Sequence, residues 1–288
     1  MSDAFEGITG HPAVRRLLSS QLQSGRLAHA YLFVGEPALG KTTVAHALAR
    51  ALLPDKQPEH HQQSLQAFLT LKPAVATYRV AVITTVGRMA DPIQGILLKT
   101  LEEPHPNRVI VLTSPSVSPF VVLPTVVSRC QRVSFHAVPL PEIRELLVRR
   151  GLPAERAQAV ADLSRGRPGW ALTASREEGI VERHAHWTER LEQVFGAPAD
   201  AALSLASELD SANFEWRSSD RTAEEPVQLA MGSWQLHLRR RMLDDPPRGK
   251  ARWARLLELS YDTLGYLEQN VSPRLALECF LLECRRAS

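Results

Sequence analysis

The chain has 288 residues, a formal net charge of +3 and a hydrophobic content of 44%. A chain of this length should contain two or three domains, and its hydrophobic content is ordinary for a globular protein with a sizeable core. No apolar run approaches the roughly 20 residues of a membrane-spanning helix, and the N-terminal residues lack the basic and apolar regions of a signal peptide. We therefore expect a cytoplasmic protein without a membrane partner. The net charge is too small to require nucleic acid, and three cysteines do not suggest a disulfide framework.

The first part of the chain alternates between helical and strand patterns. Helical spacing of apolar residues predicts helices over 12–23, 43–53, 64–71 and 91–101. Short apolar runs predict strands over 31–34, 78–83, 108–113 and 132–135. Strands that alternate with helices indicate an α/β fold, in which a parallel sheet carries helices on both faces.

Beyond residue 136 the strand pattern disappears. Three short helices are predicted over 142–150, 153–164 and 168–176. Longer helices follow over 179–195, 199–217, 226–243, 250–269 and 273–286. We therefore expect three domains: an α/β domain over 1–136, a small three-helix domain over 137–178 and a helical domain over 179–288.

The most informative motif lies between the first strand and the helix that follows it. Gly35 is followed by four residues and then by Gly40, Lys41 and Thr42, which is the spacing of a phosphate-binding loop. Glycines let several backbone N–H groups converge on one anion, and the helix that opens at Thr43 adds positive potential, so Thr43 joins the candidate set. Lys41 would reach the outer phosphates, and Thr42 would hold Mg²⁺. The motif predicts binding of ATP or ADP with Mg²⁺; its plain alternative is a glycine turn before a helix.

The acidic half of such a site is missing from the sequence. Nucleotide hydrolases of this kind place an Asp for the metal, usually with a Glu that activates water, after a second strand. Here the strand over 78–83 is followed by Thr84 and Thr85, and the nearest carboxylate is Asp91. Threonine cannot act as a general base near neutral pH. Nucleotide binding therefore stays a hypothesis, and intrinsic hydrolysis is not expected.

Four motifs together resemble a known family. They are His11-Pro12, residues 25–35, residues 97–104 and residues 123–130. Their order and spacing resemble those of the bacterial DNA polymerase III clamp-loader subunits, of the AAA+ class, over residues 8–175. The resemblance implies an AAA+ P-loop domain, a small helical lid and a helical collar that holds a hetero-oligomeric ring together.

Within that family the chain resembles the non-hydrolysing delta-prime branch. The motor subunits, gamma and tau, keep the acidic pair, carry four zinc-binding cysteines after the P-loop helix and place an arginine in the lid. This chain has Thr84 and Thr85 at the first place, only Glu-His-His at 59–61 near the second and Gly169 at the third. We therefore expect no zinc, and no metal site apart from the Mg²⁺ that would accompany a nucleotide at the phosphate loop. The intact phosphate loop departs from the delta-prime pattern, in which that loop is often damaged.

The resemblance also assigns roles to two residues outside the loop. Arg129 matches the arginine finger, which reaches the γ-phosphate of a neighbouring subunit; its alternative is a surface arginine paired with a carboxylate. Thr113 matches the sensor position at the end of the third strand; its alternative is an ordinary β-branched strand residue. The implied partners are the gamma and tau motor subunits and the delta subunit, and through the complex the sliding clamp and primer–template DNA.

Two other functions stay open: an active ATPase that uses Asp91 or Glu102, and a nucleotide-dependent switch outside a clamp loader. Glu102 and Glu103 end a predicted helix, where carboxylates are unfavourable, so they have either a basic partner or full solvation. The basic stretch over 239–255 is either a solvated helix face or a DNA contact.

Three further residues are assigned to packing. Cys130 is expected to be a small buried residue and not a nucleophile. Trp234 and Trp253 are expected to pack inside the helical domain and not to stack on bases.

Overall fold

The computed structural model describes residues 4–53, 78–84, 86, 89, 91–104, 107–217, 225–268 and 271–287. The chain divides into two compact units, Met1–Ala174 and Ser175–Ser288. The helix predicted over 64–71 lies outside the described residues. Within them, no helix has both the length and the apolar character that crossing a membrane requires.

The described part of the first unit is built on a parallel sheet. Its strands are β1 (Ala30–Val34), β2 (Arg79–Ile83), β3 (Arg108–Ser114) and β4 (Gln131–Ser134). Their order is β2-β3-β1-β4, and every neighbouring pair is parallel. Because β1 lies between β3 and β4, the loop that follows β1 emerges near the middle of the carboxyl edge of the sheet.

Helices cover both faces of this sheet. They are α1 (Pro12–Ser24) and α2 (Lys41–Leu52) on one face, and α3 (Asp91–Glu102) and α4 (Pro124–Val127) on the other. Three further helices, α5 (Leu140–Arg149), α6 (Ala154–Leu163) and α7 (Pro168–Ala174), follow the sheet in the chain and pack on one another. Successive residues of a strand point to opposite faces. Phe33 of β1 accordingly packs with Leu48 of α2, whereas Leu32 packs with Leu97 of α3. The predicted fold class, a parallel α/β sheet between helices, is confirmed.

The secondary structure of the second unit consists of helices throughout its described residues, with short connections between them. Its helices are α8 (Ile180–Glu192), α9 (Ala199–Arg217), α10 (Pro226–Asp244), α11 (Pro247–Glu268) and α12 (Pro273–Arg286). The indole N–H of Trp234 donates to the carbonyl oxygen of Trp187 over 2.7 Å, and its ring stacks on Phe280 with 5.7 Å between centroids. Trp253 is also buried, edge-on to Phe195. The predicted packing role of both tryptophans is confirmed.

Several element limits differ from the predictions by a few residues, and two differences lie beside candidate site residues. Helix α2 begins at Lys41, two residues before the predicted start, because Gly40 adopts a left-handed conformation (φ 92°) that turns the chain directly into the helix. The short helix α4 was not predicted; four residues are too few for an apolar period, although Pro124 suits a first helical position. The division into three domains stays a prediction.

Candidate functional site

The phosphate loop, residues 35–42, connects β1 to the first turn of α2. Gly35 has φ 153°, and a Cβ at this position would lie 2.5 Å from the carbonyl oxygen of Phe135, so only glycine fits. Its N–H donates to the carbonyl of Ser114 over 3.2 Å, which ties the loop to the end of β3. At Gly40 an added Cβ would meet open space. The first N–H groups of a helix have no intrahelical acceptor, so the first turn of α2 offers donors to an anion.

Lys41 lies inside this loop. Its ammonium group donates to the carbonyl oxygens of Gly35 and Glu36, at 2.6 Å each. The side chain is only 9% exposed, and this burial lowers the pKa of Lys41, partly opposed by the charge of Glu36. An ammonium group has three donors, so two hold the loop and one remains for a phosphate oxygen.

Two residues outside the loop hold its backbone. Nε2 of His11 donates to the carbonyl of Leu39 over 2.7 Å. The N–H of Gly169, in α7, donates to the carbonyl of Ala38 over 2.8 Å. The sequence singled out His11 only as part of a motif and Gly169 only as a missing side chain; neither contact was predicted, since each depends on the tertiary fold.

The threonines among the candidate residues differ in exposure. Thr42 and Thr43 are exposed on the first turn of α2. Thr113 is buried in β3, beside Phe33 of β1 and one residue before the strand ends. Thr84 is exposed immediately after β2. The fold thus gathers the glycines, Lys41 and both loop threonines at the end of β1, with Thr113 in the adjacent strand.

Some residues at or near the positions of the missing carboxylates and zinc ligands lie outside the described residues. Thr85 lies outside the described residues, and so does the side chain of Asp91. The Glu-His-His sequence at 59–61 also lies outside them. Within the residues that are described, no group of three or more His, Cys, Asp or Glu side chains could hold a metal ion.

Arg129 lies just after α4 and forms an ion pair with Glu102. Its Nη2 is 2.8 Å from Oε1 of Glu102. Its Nη1 donates to the carbonyl of Thr125 over 3.0 Å and to Oγ of Ser128 over 3.3 Å. Of the two alternatives for the acidic pair, a basic partner or full solvation, the structure shows a basic partner for Glu102. None of these contacts joins Arg129 to the phosphate loop.

Buried neighbours fix the segment that carries Arg129. Val126 is fully buried, and Cys130 packs against the same apolar cluster, which includes Leu97 and Leu101 of α3. Burial raises the pKa of the Cys130 thiol to about 12. The thiol is therefore protonated at neutral pH, which agrees with the predicted packing role. The side chain is only partly buried, however, which is less than predicted.

The basic stretch over 239–255 is partly paired with carboxylates. Nε of Arg241 lies 3.5 Å from Glu192, and the guanidinium of Arg252 lies 3.5 Å from Asp245. Both guanidinium groups also lie over the Trp253 ring, at 4.9 and 4.5 Å from its centroid. These contacts favour a structural role for part of the stretch, and its contact with DNA stays a prediction.

The sequence of this chain is similar to those of DNA polymerase III subunits. A family model described as "DNA polymerase III, delta subunit" matches residues 10–64 and 61–139. The DNA polymerase III subunit delta' of Bacillus subtilis is 24% identical over 206 residues, which cover 60% of this chain and 62% of the relative. Subunit tau of the same organism is 25% identical over 166 residues, covering 46% of this chain and 29% of the relative. The chain thus spans less than two thirds of either subunit.

A solved structure resembles nearly the whole chain. The DNA polymerase III gamma subunit-related protein of Thermotoga maritima is 19% identical, with a TM-score of 0.46, and the match covers 93% of this chain and 98% of that one.

Proposed function

Because the chain is similar to the delta' and tau subunits of DNA polymerase III, we propose that it is a delta-prime-like clamp-loader subunit that does not hydrolyse ATP itself. It would instead support ATP-dependent loading of a sliding clamp onto primed DNA. Its partners in this proposal are the gamma and tau motor subunits and the delta subunit, in a hetero-oligomeric ring. The helical unit from residue 175 onwards would serve as the collar.

The observation that carries the non-hydrolysing role is the residue that follows β2. Hydrolases with this loop hold their metal and activate water with carboxylates at that place. Here it is occupied by Thr84, whose hydroxyl cannot act as a base near neutral pH. Gly169 supports the same proposal, because it brings no side chain from α7 to the loop.

Arg129 is proposed to act on the ATP site of a neighbouring motor subunit. Its side chain is 35% exposed, and its guanidinium group always carries a positive charge. In related phosphoryl-transfer systems such an arginine stabilises charge that develops on the γ-phosphate, with rate effects on the order of 10³–10⁵.

The phosphate loop itself is proposed to bind ATP or ADP with Mg²⁺ without turnover. The first-turn N–H groups of α2 and the ammonium of Lys41 would hold the phosphates, and the hydroxyl of Thr42 would hold the metal. Thr43 would contribute through its backbone, and Thr113 as a sensor in the neighbouring strand.

Reconstitution tests the proposal. The purified chain should show no ATP turnover, alone or with primed DNA. Arg129→Ala should assemble normally with the motor subunits but lower their DNA- and clamp-stimulated ATPase. Turnover by the isolated chain that disappears in Lys41→Ala would instead identify an active ATPase, and normal stimulated ATPase in Arg129→Ala would refute the finger.

A further inference from the structure

The guanidinium group of Arg129 is held at two ends. Its Nη2 lies 2.8 Å from the Glu102 carboxylate, and its Nη1 donates to the carbonyl of Thr125 over 3.0 Å. The guanidinium is planar and its donors form a rigid fork, so two contacts on different nitrogens restrict its orientation. Nε takes no part in either contact. We propose that Glu102 is a positioning residue, which orients Arg129 towards an anionic group on a neighbouring subunit.

Both contact points lie on firmly packed elements. Glu102 is the last residue of α3 and follows Leu101, which is 2% exposed. Thr125 precedes Val126, which is fully buried in the same apolar cluster as Leu101. Groups that are supported by packed helices hold their geometry better than groups on free loops. The pair therefore fixes Arg129 relative to the core.

The location of Glu102 argues against a main role in stability. A carboxylate at a helix C-terminus is disfavoured by the helix dipole. An ion pair whose two side chains are 35% and 52% exposed contributes little to folding because water and salt screen it. Orientation of the guanidinium is the consequence that remains, and such a weak pair does not prevent Arg129 from engaging a phosphate.

This inference rests on the proposed finger role of Arg129, and a double-mutant cycle in the reconstituted clamp-loader complex tests it. Glu102→Gln keeps the shape but removes the charge, and it should lower the kcat of stimulated ATPase about twofold. Glu102→Ala removes the contact and should lower kcat up to about fivefold, with the KM for ATP unchanged. Glu103→Ala, which removes the adjacent exposed carboxylate, is the matched control and should behave as the wild type.

The cycle separates the ways in which the inference can fail. In an Arg129→Ala background, Glu102→Ala should cause no further loss, because a positioning residue acts only through the residue it orients. An equal loss in both backgrounds, or wild-type kcat in both Glu102 variants, would overturn the positioning role while leaving the finger intact. If Arg129→Ala alone had no effect, the finger itself would be refuted. Complex assembly and thermal midpoint should stay unchanged; should Glu102→Ala not assemble, Glu102→Gln carries the comparison.

Discussion

The backbone N–H of Gly169 donates a hydrogen bond to the carbonyl oxygen of Ala38 over 2.8 Å, so main-chain atoms join α7 to the phosphate loop. A Cβ at residue 169 would lie 2.9 Å from that oxygen. Ala38 itself has φ 63°, an unfavourable conformation for alanine that its neighbours must maintain. The absence of a side chain at 169 thus has two consequences. It removes any group that could reach a phosphate from this position, and it allows α7 to pack closely on the loop.

Gly169→Ala should destabilise the first unit by about 1–3 kcal/mol, because the added Cβ meets backbone atoms that cannot move aside cheaply. Urea unfolding followed by fluorescence and circular dichroism measures the change. Gly265→Ala is the control, since Gly265 lies within α11 and a Cβ there would meet nothing within 4 Å. That substitution should stabilise the second unit by up to about 1 kcal/mol. A neutral or stabilising Gly169→Ala would contradict the close approach.

The three cysteines should differ sharply in reactivity. Cys279 is exposed on α12, whereas burial raises the pKa of Cys130 to about 12 and also raises that of Cys284. Because the thiolate is the reactive form, iodoacetamide near pH 8 should modify Cys279 in the native chain and all three thiols only after unfolding. Intact-mass spectrometry counts the additions. Cys279→Ser should abolish the native modification, and prompt native labelling of Cys130 would show that its burial is wrong.

Acidification should weaken the fold partly through His11. Burial lowers the pKa of His11 below its usual value of 6.5, although the bond to the carbonyl of Leu39 opposes this effect. The folded chain then binds the proton less readily than the unfolded chain. The contribution of neutral His11 is therefore present above about pH 6.5 and is lost as pH falls below it, by at most about 1.4 kcal/mol per pH unit.

His11→Asn isolates this contribution, because asparagine tolerates the left-handed conformation of residue 11, φ 52°. Urea unfolding between pH 7.5 and 5 should show a shallower loss of stability than in the wild type. A residual slope is expected, since burial also lowers the pKa of His237. His237→Asn should reduce that residue's share separately. Identical slopes in the wild type and His11→Asn would show that the pKa of His11 is the same in the folded and the unfolded chain.

Local patterns sufficed to predict most elements of the fold. Strand β1 is a continuous apolar run and β3 contains one over 109–112. Helices α9 and α12 match their predicted limits because proline or polar residues mark their ends. The order of the strands could not be predicted in this way. It depends on pairings such as Phe33 with Thr113, which join residues far apart in the chain.

The same distinction between local patterns and long-range contacts applies to the candidate site. The spacing of Gly35 and Gly40 predicted a loop at a strand–helix junction because its conformation is local. The unfavourable charge at the end of α3 left two alternatives for Glu102 and Glu103, a basic partner or full solvation, and the pairing of Glu102 with Arg129 depends on the packing of α4 beside α3. His11 gave no local signal for its bond to Leu39, since a histidine before a helix has many other uses.

Lys41 offers the most direct test of the loop. Its ammonium holds the carbonyls of Gly35 and Glu36 and would add a charge-assisted bond to a phosphate, so Lys41→Ala should weaken ADP binding in the presence of Mg²⁺ by about tenfold to a hundredfold. Lys99→Ala, which removes the same charge from an exposed position on α3, should leave the affinity unchanged. Titration with a fluorescent ADP analogue, with unlabelled ADP as competitor, gives the dissociation constants. Equal affinity in the wild type and Lys41→Ala would show that the nucleotide binds elsewhere. If the wild type did not bind ADP at millimolar concentration, nucleotide binding by the loop would be refuted, and the role of the loop would be structural.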